Sequence, residues 1–106
     1  MNVPFTGQAG SKPRPALIVS VDALHQKLLD MIVCPISSQP RYYRKPGPGD
    51  HPLVHWAALG LRHPSTVRIS NLVAVEKKLI KRVLGMLHAE DLARVEHGLR
   101  QAFGLY

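Results

Sequence analysis

Two short apolar runs each carry a residue able to handle a phosphate group. Arg14 opens the first, Lys12-Pro-Arg-Pro-Ala-Leu-Ile-Val-Ser20. Ser37 and Ser38 close the second, Met31-Ile-Val-Cys-Pro-Ile-Ser-Ser-Gln39. A guanidinium presents a planar fork of donors that fits two phosphate oxygens and neutralises charge developing on them. A hydroxyl orients a phosphate oxygen by hydrogen bonding. Neither is an efficient proton acceptor near neutrality unless its surroundings shift it. If the runs are neighbouring antiparallel strands, the start of one lies beside the end of the other, and Arg14 meets Ser37 at one rim. Taken singly, an Arg before Pro15 and a Ser ending a strand are also ordinary surface features.

A second constellation follows directly. The segment Gln39-Pro-Arg-Tyr-Tyr-Arg-Lys-Pro-Gly-Pro-Gly-Asp50 reads as a basic, Gly/Pro-rich loop. Arg41, Arg44 and Lys45 can track phosphates while Tyr42 and Tyr43 stack on bases, although a solvated basic loop has the same composition. Lys77, Lys78, Lys81 and Arg82 form another basic cluster, either the extension of a groove or a solvated face. His51, His55 and His63 lie close in sequence, but no cysteine pair or HExxH spacing accompanies them, so no metal site is expected. His55, beside Trp56, is at most an auxiliary acid or base. Cys34 sits between Val33 and Pro35 with no basic neighbour, which suits a buried, inert thiol.

The elements that must position these groups are short. Val3 to Phe5 reads as a stub of strand before a loop to residue 13. Ala16 to Val21 and Met31 to Ile36 read as strands buried on both faces, with Pro35 marking an edge or a bulge. Asp22 to Leu29 suits either a helical turn or a loop. Pro52 to His55 and Ser65 to Ser70 read as further strands, with a tight turn at Trp56–Gly60 between them. Asn71 to Ile80 leads into a last strand, Lys81 to Leu87, where Gly85 suggests a bulge. Leu92, Val95, Leu99 and Phe103 fall on one face of a terminal helix, with Glu90 and Asp91 in its first turn and Gly104 as its stop. Several strands followed by one helix suggest a small barrel capped by that helix.

The bulk properties agree. A chain of 106 residues is expected to form one domain, residues 1–106. It contains 14 Lys and Arg against 7 acids, a net charge of +7. The excess is +8 within residues 1–87 and −1 from His88 onward, so the body and not the tail is basic. Such a body favours a polyanion partner: RNA, DNA or an acidic protein. One cysteine allows no internal disulfide, which fits a reducing cytoplasm. No leader sequence is visible and no apolar run is long enough to span a membrane.

Four motifs in order, Lys12–Ser20, Ile32–Gln39, Gly60-Leu-Arg-His-Pro-Ser65 and Val83-Leu-Gly-Met-Leu87 before a helix, resemble the MazF/PemK family of toxins from type II toxin–antitoxin systems. The resemblance runs from about Val3 to Leu105. It implies an SH3-like β-barrel of the CcdB/PemK kind with a C-terminal α-helix, here with its first strand shortened. It also implies a homodimer held in check by a cognate antitoxin. The implied activity is a metal-independent, sequence-specific endoribonuclease on single-stranded RNA, needing no cofactor and leaving a 2′,3′-cyclic phosphate and a 5′-OH. The family's catalytic Arg falls on Arg14 and its catalytic Thr or Ser on Ser37. Lys12, Ser38, Gln39, Arg41, Tyr42, Arg44 and Lys45 are the expected RNA contacts. The alternative is a non-catalytic barrel that binds nucleic acid or protein. A toxin aimed at a protein such as gyrase would have no use for the Arg14–Ser37 pair.

Overall fold

A computed structural model describes residues 2–6, 14–20 and 29–105. Lys12 and the Asp22–Leu28 stretch, each the subject of an expectation above, lie outside the described residues. Seven strands form one sheet: β1 (Asn2–Thr6), β2 (Arg14–Ile18), β3 (Asp30–Ser37), β4 (Asp50–Pro52), β5 (Thr66–Arg68), β6 (Val73–Glu76) and β7 (Ile80–Met86). A short helix, α1 (Pro40–Arg44), follows β3, and a longer one, α2 (Ala89–Ala102), follows β7. The strand order is β4-β5-β3-β2-β1-β7, with β6 also paired to β3. Among the described residues β4 and β7 do not pair, so the sheet is not closed into a complete barrel.

Strand β3 organises this arrangement. One edge runs antiparallel to β2, pairing Ala16 with Pro35, Leu17 with Cys34 and Ile18 with Val33. The other edge is divided: Asp30–Val33 pairs with β6, and Ile36–Ser37 pairs with β5. Pro35 therefore lies in a central strand and not at an edge. It falls in the gap where β3 changes partners, the one place where a missing N–H costs no ladder bond. Strand β1 is only five residues long, yet it pairs with β2 on one side and β7 on the other. The register of β1 against β7 shifts between Val3 and Pro4, opposite Gly85 and Val83, which is the irregularity Gly85 suggests in the sequence.

Alternation along the strands separates two apolar layers. Leu17, Cys34, Ile36 and Val67 point into the main core, which Val95, Leu92 and Leu99 of α2 cover. Ala16, Ile18 and Val33 point the other way and pack with Met31, Val75 and Ile80. Phe103 departs from the expected helix face: it caps the helix and is exposed, because the helix ends one residue earlier. Gly104, at φ +69°, ends it as its position suggests.

Other boundaries also differ from expectation: the strands expected at Ala16–Val21 and Ser65–Ser70 lie at Arg14–Ile18 and Thr66–Arg68. The strand expected at Pro52–His55 lies earlier, at Asp50–Pro52, and Leu53 turns into the core. Strand β6 was not anticipated within Asn71–Ile80: its four residues, half of them exposed valine and alanine, carry too little periodicity to stand out. The Gln39–Asp50 loop contains α1. Pro40 presets the first helical φ, and Arg41 and Arg44 complement the helix dipole, but five residues give no readable period.

Candidate functional site

The register of β2 against β3 decides where the two candidate phosphate-handling residues stand. Carried two residues beyond Ala16 and Pro35, it sets Arg14 opposite Ser37. On the far side of β3, Ser37 pairs with Thr66; on the far side of β2, Arg14 pairs with Thr6. Thr66, Ser37, Arg14 and Thr6 thus form one row across four strands. Arg14 and Ser37 share the parity of Ala16, Ile18 and Val33, so this row ends the face opposite α2. Arg14 is exposed at the first position of β2.

Ser37 is half-buried, and its Oγ accepts the backbone N–H of Gln39 at 3.2 Å. That bond occupies a lone pair and leaves the hydroxyl hydrogen available to donate. Ser38 and Gln39 follow as exposed residues before α1. A guanidinium and a hydroxyl donor on one rim can hold the oxygens of a single phosphate.

Helix α1 treats its two tyrosines differently. The Tyr42 ring lies beneath the Arg68 guanidinium at 3.7 Å, and Arg41 Nη2 donates to the Tyr42 hydroxyl at 2.7 Å. Arg68 Nε in turn bonds Asp50 Oδ1 at 2.8 Å, and Asp50 Oδ2 accepts the Gly47 N–H at 3.0 Å. Arg41 also lies over the Tyr42 ring, at 4.6 Å, so Tyr42 is part of a clasp joining α1 to the paired strands β4 and β5. Tyr43 instead lines a cavity of about 190 Å³ together with Ser38, Pro40, Arg44, His63 and Pro64. Tyr43 was expected to stack on bases from the loop composition, whereas His63 is a residue that sequence reasoning did not place here. The only available signal was that His63 lies in the Gly60–Ser65 motif. Arg41, Arg44 and Lys45 are exposed around this region, as the loop composition suggests.

The three clustered histidines do not converge. His51, on β4, packs against Gly98 of α2, and burial holds its imidazole below the ordinary value of 6.5, against the opposing pull of Asp50. His63 borders the cavity. His55 stacks on His88 at 3.7 Å between ring centroids and lies 3.6 Å from Glu90. The donor atoms of His55, His88 and Glu90 fall within 4.8 Å of one another, but the two rings stack on each other with an interplanar angle of 20°. His88 Nδ1 instead accepts the Glu90 N–H at the start of α2. Cys34 is buried, and burial pushes its thiol up to about 11, as an inert core residue requires.

A basic, mainly-β sheet with one C-terminal helix and a guanidinium–hydroxyl row on the face away from it defines the class of protein. The chain belongs to the PemK-like, MazF-like toxins of type II toxin–antitoxin systems, whose family model matches residues 1–103. Among solved structures, the Mycobacterium tuberculosis toxin MazF-mt6 is 23% identical with a TM-score of 0.81, the match covering 100% of this chain and 99% of that one. MazF in a MazE–MazF crystal from Deinococcus radiodurans is 23% identical with a TM-score of 0.78, covering 99% and 93%. An endoribonuclease in complex with its cognate antitoxin, from a mycobacterial species, is 20% identical with a TM-score of 0.75, covering 99% and 93%. These likenesses establish the shared fold. No curated protein matches the sequence significantly.

Proposed function

We propose that the protein is a toxin ribonuclease that cuts single-stranded RNA at selected sequences without a metal ion. The observation that carries this reading is the register that sets Arg14 opposite Ser37, in a chain that belongs to a family of type II toxin–antitoxin toxins. In the proposed reaction the ribose 2′-OH attacks the adjacent phosphorus, and charge accumulates on the two non-bridging oxygens. Arg14 clamps those oxygens and neutralises them, an interaction stronger in the transition state than in the ground state. Ser37 donates its hydroxyl hydrogen to one of them and fixes the phosphate in line. The P–O5′ bond breaks, leaving a 2′,3′-cyclic phosphate and a 5′-OH. The proton lost by the 2′-OH passes through solvent water to the departing O5′, with the exposed Arg14 guanidinium beside its path.

Ser38, Gln39, Arg41, Arg44 and Lys45 extend the positive surface along which the strand runs, with Lys12 as a further contact. Tyr42 contributes by holding α1 in place. A cognate antitoxin would occupy this basic face. The exposed Val83 and Met86 of β7, with Phe103 and Leu105, offer apolar surface for a homodimer. Cellular RNA as substrate implies action in the cytoplasm.

Incubation of the purified protein with a long RNA in EDTA tests the reading. The expected result is discrete cuts with 5′-OH ends, absent for Arg14→Ala at unchanged melting temperature. Full cleavage by that variant would sink the assignment, and salt-sensitive binding without cuts would indicate a binding module instead.

A further inference from the structure

Resting on the ribonuclease reading, we propose that the cavity between α1 and the His63–Pro64 loop receives one unpaired nucleobase, that of a nucleotide flanking the scissile phosphate. Its location supports this occupant. Ser38, one of its walls, directly follows Ser37, so a base seated here belongs to a neighbour of the phosphate that Arg14 and Ser37 hold. Its size supports it as well. A volume of about 190 Å³ is below that of a drug-sized site but above the roughly 150 Å³ that accommodates a benzene ring.

The chemistry of the walls fits a base better than an aliphatic group. Pro40, Pro64 and Tyr43 present flat apolar surfaces of the kind on which π-faces stack. Ser38, Arg44 and His63 supply the polar atoms that can read a base edge. Arg44 can only donate, so it favours an edge with two adjacent acceptors: guanine through O6 and N7, or unpaired cytosine through O2 and N3, ahead of adenine.

The two walls are tied together by a continuous hydrogen-bonded chain. Tyr43 OH donates to Leu53 O at 3.3 Å, and Leu53 N–H donates to Ser65 O at 2.9 Å. Ser65 Oγ donates to His63 O at 2.8 Å. Leu53 and Ser65 are both buried, so this link anchors the separation of Tyr43 and His63 in the core. A slot with walls fixed before binding loses little entropy on admitting a planar ring, which is what base selection requires. The structure thus assigns Tyr43 as the stacking wall and His63 with Arg44 as determinants of sequence preference.

Selection from a short, randomised, single-stranded 2′-fluoro RNA pool tests the assignment without cleavage, because the attacking hydroxyl is absent. Wild-type protein should enrich guanine or cytosine at one position. Tyr43→Ala should bind the enriched oligonucleotide roughly 5- to 150-fold more weakly. His63→Ala, at an exposed site, should relax preference at that position alone. Equal enrichment and affinity in wild type and both folded variants overturns the proposal, as does a wild-type pool without preference at any position. If Tyr43→Ala does not fold, His63→Ala decides alone. Cuts in ordinary RNA by wild-type protein are scored separately: retained base preference without any cutting rejects the ribonuclease reading and keeps the base slot.

Discussion

At the scale of single residues, the row Thr66–Ser37–Arg14 gives substitutions distinct signatures. Arg14→Lys keeps the charge but loses the fork that spans two phosphate oxygens, so cleavage should fall by about tenfold or more while RNA binding falls less. Single-turnover rates beside binding constants check this; equal losses in both would reduce Arg14 to a binding residue. Asp91 is a different kind of residue. Sequence reasoning places it in the first turn of α2 as a dipole-stabilising acid, but the structure buries it. Its two oxygens accept the Val54 and His55 N–H groups at 2.9 Å each. Asp91→Ala strands those donors and should cost about 3 kcal/mol or more, with Asp91→Asn, which keeps one acceptor, milder. Denaturant midpoints measure the difference, and a loss below about 1 kcal/mol for Asp91→Ala would contradict the structure.

At the scale of elements, α2 is held by how closely it approaches β4. Gly98, a weak helix former, is buried there, and a Cβ at its position would meet the His51 imidazole and Ile69 Cδ1. Gly98→Ala gains about 1 kcal/mol of helix propensity but displaces a packed ring, so we expect a net loss of about 1–2 kcal/mol. An increase in melting temperature would refute that packing. The same contact sets a pH dependence. Burial lowers the His51 pKa in the folded protein, so the unfolded chain binds a proton first as pH falls. His51 therefore costs no stability above about pH 6.5, and its cost grows as pH drops below that value. Melting curves of wild type and His51→Leu should diverge in that acid window; parallel curves would exclude His51 as the cause.

At the scale of the whole molecule, the charge distribution sets the expected behaviour toward RNA. A net charge of +7, carried by the body ahead of α2, should give affinity that falls steeply and log-linearly with salt. Titrating RNA binding across salt concentrations tests this, and a flat response would rule out a phosphate-tracking face. The open sheet leaves β7 at one end of the strand path, with Val83 and Met86 exposed, beside a helix end that exposes Phe103 and Leu105. These exposed apolar side chains on an end strand are the surface we propose for association.

Much of this was legible in the residues themselves. The apolar runs around Leu17 and Cys34 specify strands buried on both sides because hydrophobic, β-branched stretches fit no exposed element. Their polar ends, Arg14 and Ser37, follow with the chain direction. Leu92, Val95 and Leu99 specify α2 by their spacing, and Gly104 ends it by its positive φ. Long-range registration was not legible. Only the pairing of β2 with β3 sets Arg14 against Ser37, and only the split edge of β3 shows why Pro35 is tolerated in a central strand. The divergent roles of Tyr42 and Tyr43 depend on Arg68, Asp50 and Leu53, none of which is a near neighbour along the chain. Local sequence determines which segments become strands and helix, because that depends on neighbouring side chains and backbone preference. Which polar groups share a rim or a cavity depends on contacts that exist only after the chain has closed on itself, and that only the tertiary structure decided.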